Sequence, residues 1–166
     1  GKVKEHHIGI LLKYSENENK SRSAISISNK PLAAINTGFI GAGSFAQSYL
    51  IPNVKASGGS LDGVVTSRGI TAKNVGDKFG FNFCSSDIND VLGNEKINTV
   101  FIATPHSSHA GLVVKSLEAN KNVFVEKPLA INMEELDRVI ETKKNRVQPL
   151  LVGFNRRFAP ISEDIK

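Results

Sequence analysis

The sequence predicts an α/β protein, a doubly wound parallel sheet of about six strands with helices on both faces. Two observations lead to this prediction. From Asn36 onward, short apolar runs alternate with segments of helical periodicity, and only a few residues join them. A glycine-rich turn, "GAGSFA", directly follows the first apolar run. Parallel strands need crossover connections, which helices usually provide, and a glycine turn before the first helix is typical of Rossmann-type folds.

The first half of the sheet is predicted from three short apolar runs. We expect Pro52 to end or kink the first helix, because proline has no N–H donor. Gly80 is expected to close the second helix, and Asp87 to cap the third. The predicted elements are, in order, "INTGFIGAG" (strand), "FAQSYLIPNVKAS" (helix), "SLDGVVTS" (strand), "TAKNVGDKFG" (helix), "FNFCSS" (strand) and "INDVLGN" (helix).

The second half begins with "INTVFIATP", a continuous apolar run of the kind found in central parallel strands. The helix after it places Leu112, Val113 and Leu117 on one face. Asn132 is expected to cap the last helix. The remaining predicted elements are "SSHAGLVVKSLEANK" (helix), "NVFVEKP" (strand), "MEELDRVIETKKN" (helix) and "QPLLVGFNRRF" (strand).

Composition and charge exclude several classes of protein. The 166 residues are 40% hydrophobic and 22% charged, which suits one globular domain. The net charge of +5 is concentrated in residues 1–35, which hold six Lys/Arg against three Asp/Glu. No basic stripe is present, so we expect no nucleic-acid partner. No apolar run approaches the ~20 residues that span a bilayer, and no signal-peptide pattern is visible. We therefore expect a cytoplasmic protein without a membrane partner.

Cysteine and histidine usage predicts no metal site. Cys84 is the only cysteine, which excludes an internal disulfide and a thiolate zinc site. Because it lies in the apolar run "FNFCSS", we expect a buried, unreactive thiol. His6 and His7 have no Cys or acidic cluster beside them, so the pair does not indicate a metal site.

The chain is predicted to have three parts. Residues 1–35 contain one strand, "HIGILLKY", and a polar linker rich in Ser and Asn. Residues 36–160 form the nucleotide-binding domain. Residues 161–166 are expected to begin a further domain.

The glycine-rich turn is the first candidate binding site. Gly41, Gly43 and Ala46 have the G-x-G-x-x-A spacing, after a strand and at the start of a helix. The first glycine allows a tight turn, the second lets a pyrophosphate approach, and the small third residue lets the helix pack closely. The residues expected to surround a dinucleotide pyrophosphate are Gly41, Ala42, Gly43, Ser44, Phe45 and Ala46.

The end of the second strand bears on the choice of cofactor. A fold that prefers NAD usually has Asp or Glu there, to bind the ribose hydroxyls. This sequence has Ser67 and Arg68 instead, and Asp62 lies at the start of the strand. A hydroxyl and a guanidinium suit a 2′-phosphate. We expect NADP or NAD, with NADP slightly preferred; in the alternative, Arg68 stacks on adenine and both cofactors bind.

Three stretches together resemble one family. They are "GFIGAGSFAQSYLIP", "VFIATPHSSHAGLVVKSLEANKNVFVEKPLA" and "LLVGFNRRFAP". In order and spacing they are similar to the N-terminal domain of the glucose–fructose oxidoreductase and inositol dehydrogenase (Gfo/Idh/MocA) family, over residues 36–160. The resemblance implies an NAD- or NADP-dependent oxidoreductase acting on a CH–OH group of a sugar, a sugar derivative or a cyclitol.

The resemblance assigns roles to three further segments. Lys127 matches the family's active-site lysine, which hydrogen-bonds the reacting oxygen, and Glu126 and Pro128 match its neighbours, with a Lys-Pro bond that is often cis. Thr104, Pro105 and His106 match the turn beside the nicotinamide, although many members have Asn in place of His106. His109 matches a histidine of the following helix, where a structural role is equally open. Asn155, Arg156 and Arg157 match a segment lining the site, and Arg157 is the best match.

The resemblance also implies that part of the enzyme is missing. In family members a second domain completes the substrate site and supplies a proton-exchanging histidine. We therefore expect cofactor binding but little turnover by this chain alone. Some members are fused behind an alcohol-dehydrogenase-like region, which residues 1–35 would suit, and a homo-oligomer is a further expectation. The alternatives are a non-catalytic NAD(P)-binding or redox-sensing module and a methyltransferase-like domain.

Overall fold

The computed structural model describes residues 34–158, with the side chains of Arg157 and Phe158 left out. The predicted strand "HIGILLKY", its polar linker and the expected start of a further domain therefore lie outside the described residues.

Residues 34–158 form a six-stranded parallel sheet in the order β3-β2-β1-β4-β5-β6. Chain order reverses between β1 and β4, which is the crevice where open α/β sheets bind ligands. The predicted doubly wound fold is confirmed. The strands are β1 (Asn36–Ile40), β2 (Ser60–Val65), β3 (Phe83–Ser85), β4 (Thr99–Ile102), β5 (Asn122–Glu126) and β6 (Leu150–Gly153).

Helices connect consecutive strands. A π-helical turn precedes the first helix, and short 3₁₀ turns follow β4 and β6. The helices are α1 (Ile51–Ala56), α2 (Gly69–Phe79), α3 (Asn89–Leu92), α4 (His109–Glu118) and α5 (Met133–Lys144); the turns are Ala46–Leu50 (π), His106–Ser108 and Asn155–Phe158 (both 3₁₀).

Three predicted helix ends are confirmed. Gly80 closes α2 with φ of 80°, a left-handed conformation that glycine adopts easily. The Asp87 carboxylate accepts a hydrogen bond from the N–H of Asn89 at 2.9 Å, at the start of α3. Asn132 Oδ1 accepts one from the N–H of Glu135 at 2.8 Å, at the start of α5.

Of the two expectations for Pro52, an end or a kink of the helix, the end was wrong. The helical segment does not end at this residue but continues through it to Ala56. Pro52 is the second residue of α1, directly after the π turn in which the Ile51 N–H bonds the Ala46 carbonyl. A missing N–H donor is tolerated in the first turn of a helix, so the proline is accommodated there.

Successive side chains of the central strands pack alternately into two hydrophobic cores, one on each face of the sheet. Phe39 of β1 packs on one face with Ile51 of α1 and Val75 of α2. Ile40 lies on the other face, in the core that includes side chains of α3, α4 and α5. This alternation places β1 between two helical layers, so its last residues present their backbone at a well-supported rim.

The expectation for Cys84 was also wrong, because its side chain is exposed. β3 is only three residues long and lies at the edge of the sheet. An edge strand has a neighbour on one side only. A strand whose apolar sequence predicts burial can therefore still have a side chain exposed to solvent when it lies at the edge.

Candidate active site

Two adjoining clefts lie along the rim formed by the carboxyl ends of the strands. The larger has a volume of about 710 Å³ and the smaller about 400 Å³. Gly43, Ala103 and Thr104 line both clefts, so the two meet at the ends of β1 and β4. The larger cleft extends towards β2, and the smaller towards Lys127 and Asn155.

The glycine turn has the geometry that its spacing predicts. Gly41 has φ of +88°, and a Cβ on it would collide with the carbonyl oxygen of Ala103 and with the Thr104 methyl group. Gly43, in contrast, has nothing within 4 Å of where a Cβ would lie. Because Gly43 also lines both clefts, glycine leaves open space beside their junction.

Helical structure begins directly after the turn, at Ser44. The first N–H groups of a helix have no acceptor within it and carry its positive dipole end. The turn is held by Gln47, whose side-chain amide donates to the Ala42 carbonyl at 2.9 Å. Phe45 and Ala46 line the smaller cleft. Open space over Gly43 and unpaired N–H groups beside it fit a dinucleotide pyrophosphate.

The end of β2 presents hydroxyl groups and a guanidinium rather than a carboxylate. Ser67 lines the larger cleft, and among residues 34–158 no Asp or Glu lines it. The Thr66 hydroxyl donates to the Arg68 carbonyl at 2.7 Å and shapes this turn. The Arg68 side chain is exposed just before α2. Asp62 lies towards the other end of the strand, where its carboxylate accepts hydrogen bonds from the side chains of Ser60 and Asn82.

The turn after β4 is held by a chain of hydroxyl groups. Ser108 Oγ donates to the Pro105 carbonyl at 2.7 Å, so its single proton is used there. The hydroxyl of Thr104, 2.7 Å from Ser108 Oγ, must therefore be the donor in that contact. Thr104 keeps its acceptor lone pairs at the junction of the clefts. His106 is exposed and lines the smaller cleft.

Glu126 and Lys127, at the end of β5, line the smaller cleft. The Lys127-Pro128 peptide bond is cis, as the resemblance implies. Burial raises the pKa of the Glu126 carboxyl above its usual value. A hydrogen bond from the Lys127 backbone and electrostatic interactions with His109 and Lys127 act in the opposite direction. Lys127 itself is exposed, with its ammonium available to a ligand.

His109 is completely buried at the start of α4. Its Nδ1 lies 2.7 Å from the Pro128 carbonyl oxygen, and its Nε2 lies 2.9 Å from the Thr104 carbonyl oxygen. Both ring nitrogens are therefore occupied by the backbone. His109 connects the turn after β4 to the turn after β5.

The segment after β6 contributes Asn155 and Arg156 to the smaller cleft. Arg157, which the resemblance favours, has a side chain outside the described part of the chain. The rim thus brings together the predicted residues of five strand ends, with the backbone of Arg157 in the same 3₁₀ turn as Asn155.

The family of the chain follows from comparison with known proteins. Residues 35–154 match the family model described as "Oxidoreductase family, NAD-binding Rossmann fold" (GFO_IDH_MocA). The chain belongs to this family. The matched residues run from the start of β1 to just beyond β6, so they include the glycine turn, the turn after β4 and Lys127.

Curated relatives within the GFO_IDH_MocA family include two cyclitol dehydrogenases. The chain is 38% identical over 95 residues to scyllo-inositol 2-dehydrogenase (NAD(+)) of Bacillus subtilis, covering 57% of this chain and 28% of that protein. It is 34% identical over 82 residues to myo-inositol 2-dehydrogenase of Thermotoga maritima, covering 49% of this chain and 25% of that protein.

Among solved structures, levoglucosan dehydrogenase in complex with NADH and levoglucosan has a TM-score of 0.72 and 26% identity. That match covers 78% of this chain and 37% of the dehydrogenase. The chain thus spans well under half the length of the relatives it matches.

Several cleft residues escaped sequence reasoning. Ile88 and Leu112 are apolar side chains that line the larger cleft. Ser108 lines it too and donates a hydrogen bond to the Pro105 carbonyl. Ile88 and Leu112 lie next to or within predicted helices, where apolar residues are normally assigned to the core. Arg156 was expected only as part of the segment that lines the site, and its side chain lines the smaller cleft.

Proposed function

We propose that the chain is the cofactor-binding part of an oxidoreductase that acts on a CH–OH group of a sugar, a sugar derivative or a cyclitol. One observation carries the proposal: the two clefts meet at Gly43 and Thr104, and Lys127 lies at the far end of the smaller one. A nicotinamide dinucleotide has the same layout, two halves joined by a pyrophosphate.

Each part of the rim has a defined task in this proposal. The larger cleft takes the adenosine half, with Ile88 and Leu112 as apolar walls. The N–H groups after Gly43 bind the pyrophosphate, and Thr104, Pro105 and His106 border the nicotinamide half. The bound cofactor supplies hydride transfer. Lys127 donates a hydrogen bond to the reacting oxygen and stabilises the negative charge that develops on it.

The substrate class rests on the relatives. Two of them are named for inositols and a third was solved with levoglucosan, all of them polyhydroxylated rings. The smaller cleft offers polar groups suited to hydroxyl-rich ligands, namely Lys127, His106, Asn155 and Arg156. We extend this substrate class to the present chain.

The finer cofactor preference is for NADP. Its support is that no carboxylate of the described residues lines the larger cleft, and that Ser67 and the exposed Arg68 lie at the end of β2. A guanidinium binds a 2′-phosphate through paired hydrogen bonds, whereas a carboxylate would repel it.

The site is proposed to be incomplete without a second domain. A surface groove runs from Lys127 and Pro128 along apolar side chains, and its members Ile131, Met133 and Phe154 are each more than half exposed. A covering domain that brings the proton-exchanging histidine would bury these side chains. A homo-oligomer, an alcohol-dehydrogenase-like partner region and a cytoplasmic location also belong to the proposal. Within residues 34–158, no helix combines the length and hydropathy required to cross a membrane.

Fluorescence titration of the 166-residue chain with NADPH, NADH and S-adenosylmethionine tests the cofactor proposal. We expect both nicotinamide nucleotides to bind, NADPH more tightly, and S-adenosylmethionine not to bind. Binding of S-adenosylmethionine alone would overturn the proposal, and tighter binding of NADH would overturn the NADP preference.

Turnover is tested with the same chain and with a longer form that includes the second domain. Under a sugar and cyclitol screen, we expect activity only from the longer form. In that form Lys127→Met should lower kcat by roughly 10²–10³-fold, the usual cost of losing a donor to a developing oxyanion. A longer form that binds NADPH but oxidises nothing in the screen would favour the non-catalytic module.

A further inference from the structure

His109 has an unusual hydrogen-bonding environment for a buried histidine. Its side chain is 0% exposed, so water does not reach either ring nitrogen. Nδ1 faces the Pro128 carbonyl oxygen at 2.7 Å and Nε2 faces the Thr104 carbonyl oxygen at 2.9 Å. Both partners are backbone carbonyls, which only accept hydrogen bonds.

A neutral imidazole cannot satisfy both contacts. It has one N–H donor and one nitrogen lone pair. In either tautomer that lone pair would face a carbonyl oxygen at hydrogen-bond distance, with no water to separate them. The imidazolium has two N–H donors, one for each carbonyl. The geometry therefore requires the positively charged form.

The surrounding charges are compatible with an imidazolium. On β5, the Glu126 carboxyl is the only acidic group among the described residues that lines the smaller cleft, and it interacts electrostatically with His109. The other ionisable groups of this cleft are Lys127, His106 and Arg156, and the ring centroid of His106 lies 5.7 Å from that of His109. A buried cation needs such an opposite charge, and Glu126 provides it.

We propose that His109 is a buried imidazolium that acts as a positioning residue, tying the Thr104 carbonyl to the Pro128 carbonyl. These carbonyls belong to the turn at the junction of the two clefts and to the turn that carries Lys127. The double contact sets the distance between the nicotinamide side of the cofactor site and the lysine. The effect of this double contact on cofactor binding rests on the proposed function. The protonation state of His109 does not depend on that function.

Nitrogen-15 NMR of the 166-residue chain decides the protonation state without any variant of the ring. With ¹⁵N-labelled histidine at about pH 7, we expect both ring nitrogens of His109 to carry a slowly exchanging proton. His6→Gln/His7→Gln removes the two N-terminal histidines and leaves only the exposed His106 signal to be distinguished. A single protonated nitrogen at His109 would overturn the proposal.

NADPH titration then tests the positioning role. His109→Gln has one side-chain amide, which can reach one of the two carbonyls. We expect its dissociation constant to rise about fivefold, the effect of one lost hydrogen bond. His6→Gln/His7→Gln should keep the wild-type affinity.

The outcomes separate the two proposals. A folded His109→Gln chain that binds NADPH within roughly twofold of wild type would overturn the positioning role. Failure of the wild-type chain to bind either nicotinamide nucleotide would overturn the proposed function, while the NMR result would still decide the charge of His109.

Discussion

Gly41 and Ala103 meet across the crevice between β1 and β4. Gly41 adopts φ of +88°, and a Cβ on it would collide with the carbonyl oxygen of Ala103. Both residues line the larger cleft. Two residues later, Gly43 has free space on the side where a Cβ would be. The two glycines of the motif therefore have different roles, one in the backbone turn and one in keeping space open. A matched pair of alanine substitutions can distinguish these roles.

Gly41→Ala should destabilise the fold. Alanine is strained at positive φ, and its methyl group would strike backbone that cannot move easily. We expect the free energy of unfolding to fall by about 2–4 kcal/mol, measured by urea denaturation. A loss below about 0.5 kcal/mol would mean that the turn relaxes around the methyl group.

Gly43→Ala should leave stability nearly unchanged and impair binding. Its methyl group would meet no neighbour, so we expect the free energy of unfolding to stay within about 0.5 kcal/mol of wild type. The same methyl group would occupy the space proposed for the pyrophosphate, and NADPH affinity should fall by roughly tenfold or more. Unaltered NADPH binding would place the pyrophosphate elsewhere.

Arg68→Ala should discriminate between the two cofactors. Loss of a charge-assisted hydrogen bond to the 2′-phosphate should weaken NADPH binding by roughly 10- to 100-fold and hardly affect NADH. Arg138→Ala, an exposed site on α5 that lines neither cleft, removes the same charge and serves as the control. Equal weakening of both nucleotides would instead indicate that Arg68 stacks on adenine.

Glu126→Gln should change the pH dependence of stability. Because burial raises the pKa of Glu126, the folded state binds its proton more tightly than the unfolded state. That contribution to stability is complete below the usual glutamate pKa and is lost as the pH rises through the raised value. The variant lacks this loss, so its stability relative to wild type should increase with pH across this window.

Urea unfolding at a series of pH values between about 3.5 and 8 checks this prediction. Glu118→Gln, at an exposed carboxylate on α4, is the matched control for removal of a negative charge. If the stability of Glu126→Gln relative to wild type instead decreases as the pH rises, the favourable charges around Glu126 outweigh the effect of its burial.

Sequence patterns predicted the sheet because its determinants are local. Continuous apolar runs such as β4 and a glycine turn between a strand and a helix leave few alternative topologies. The same reasoning failed at Cys84, since apolar runs do not reveal which strand lies at an edge. It also failed to predict that the helix continues past Pro52, since a preceding π turn has no clear sequence signal.

The candidate site was predictable where a residue lies within two positions of the end of a strand. Lys127 directly follows β5, Thr104 and Ser67 come two residues after β4 and β2, and all three line a cleft. The contacts of His109 were not predictable, because its partners are the backbone carbonyls of Thr104 and Pro128. The type of a residue does not reveal where its backbone carbonyl points. Ile88 and Leu112 escaped for a related reason, since an apolar wall of a cleft and an apolar core residue have the same composition.

The position of the cleft junction on β1 and β4 bears on how the chain fluctuates. These two strands are central, whereas β6, which carries Asn155 beyond its end, is an outer strand of the described sheet. Central strands usually expose their amides to solvent only through global unfolding, while outer strands open locally. Amide hydrogen exchange should therefore be slow beneath the glycine turn and faster around Asn155, so the Asn155 side of the smaller cleft is the part with freedom to rearrange.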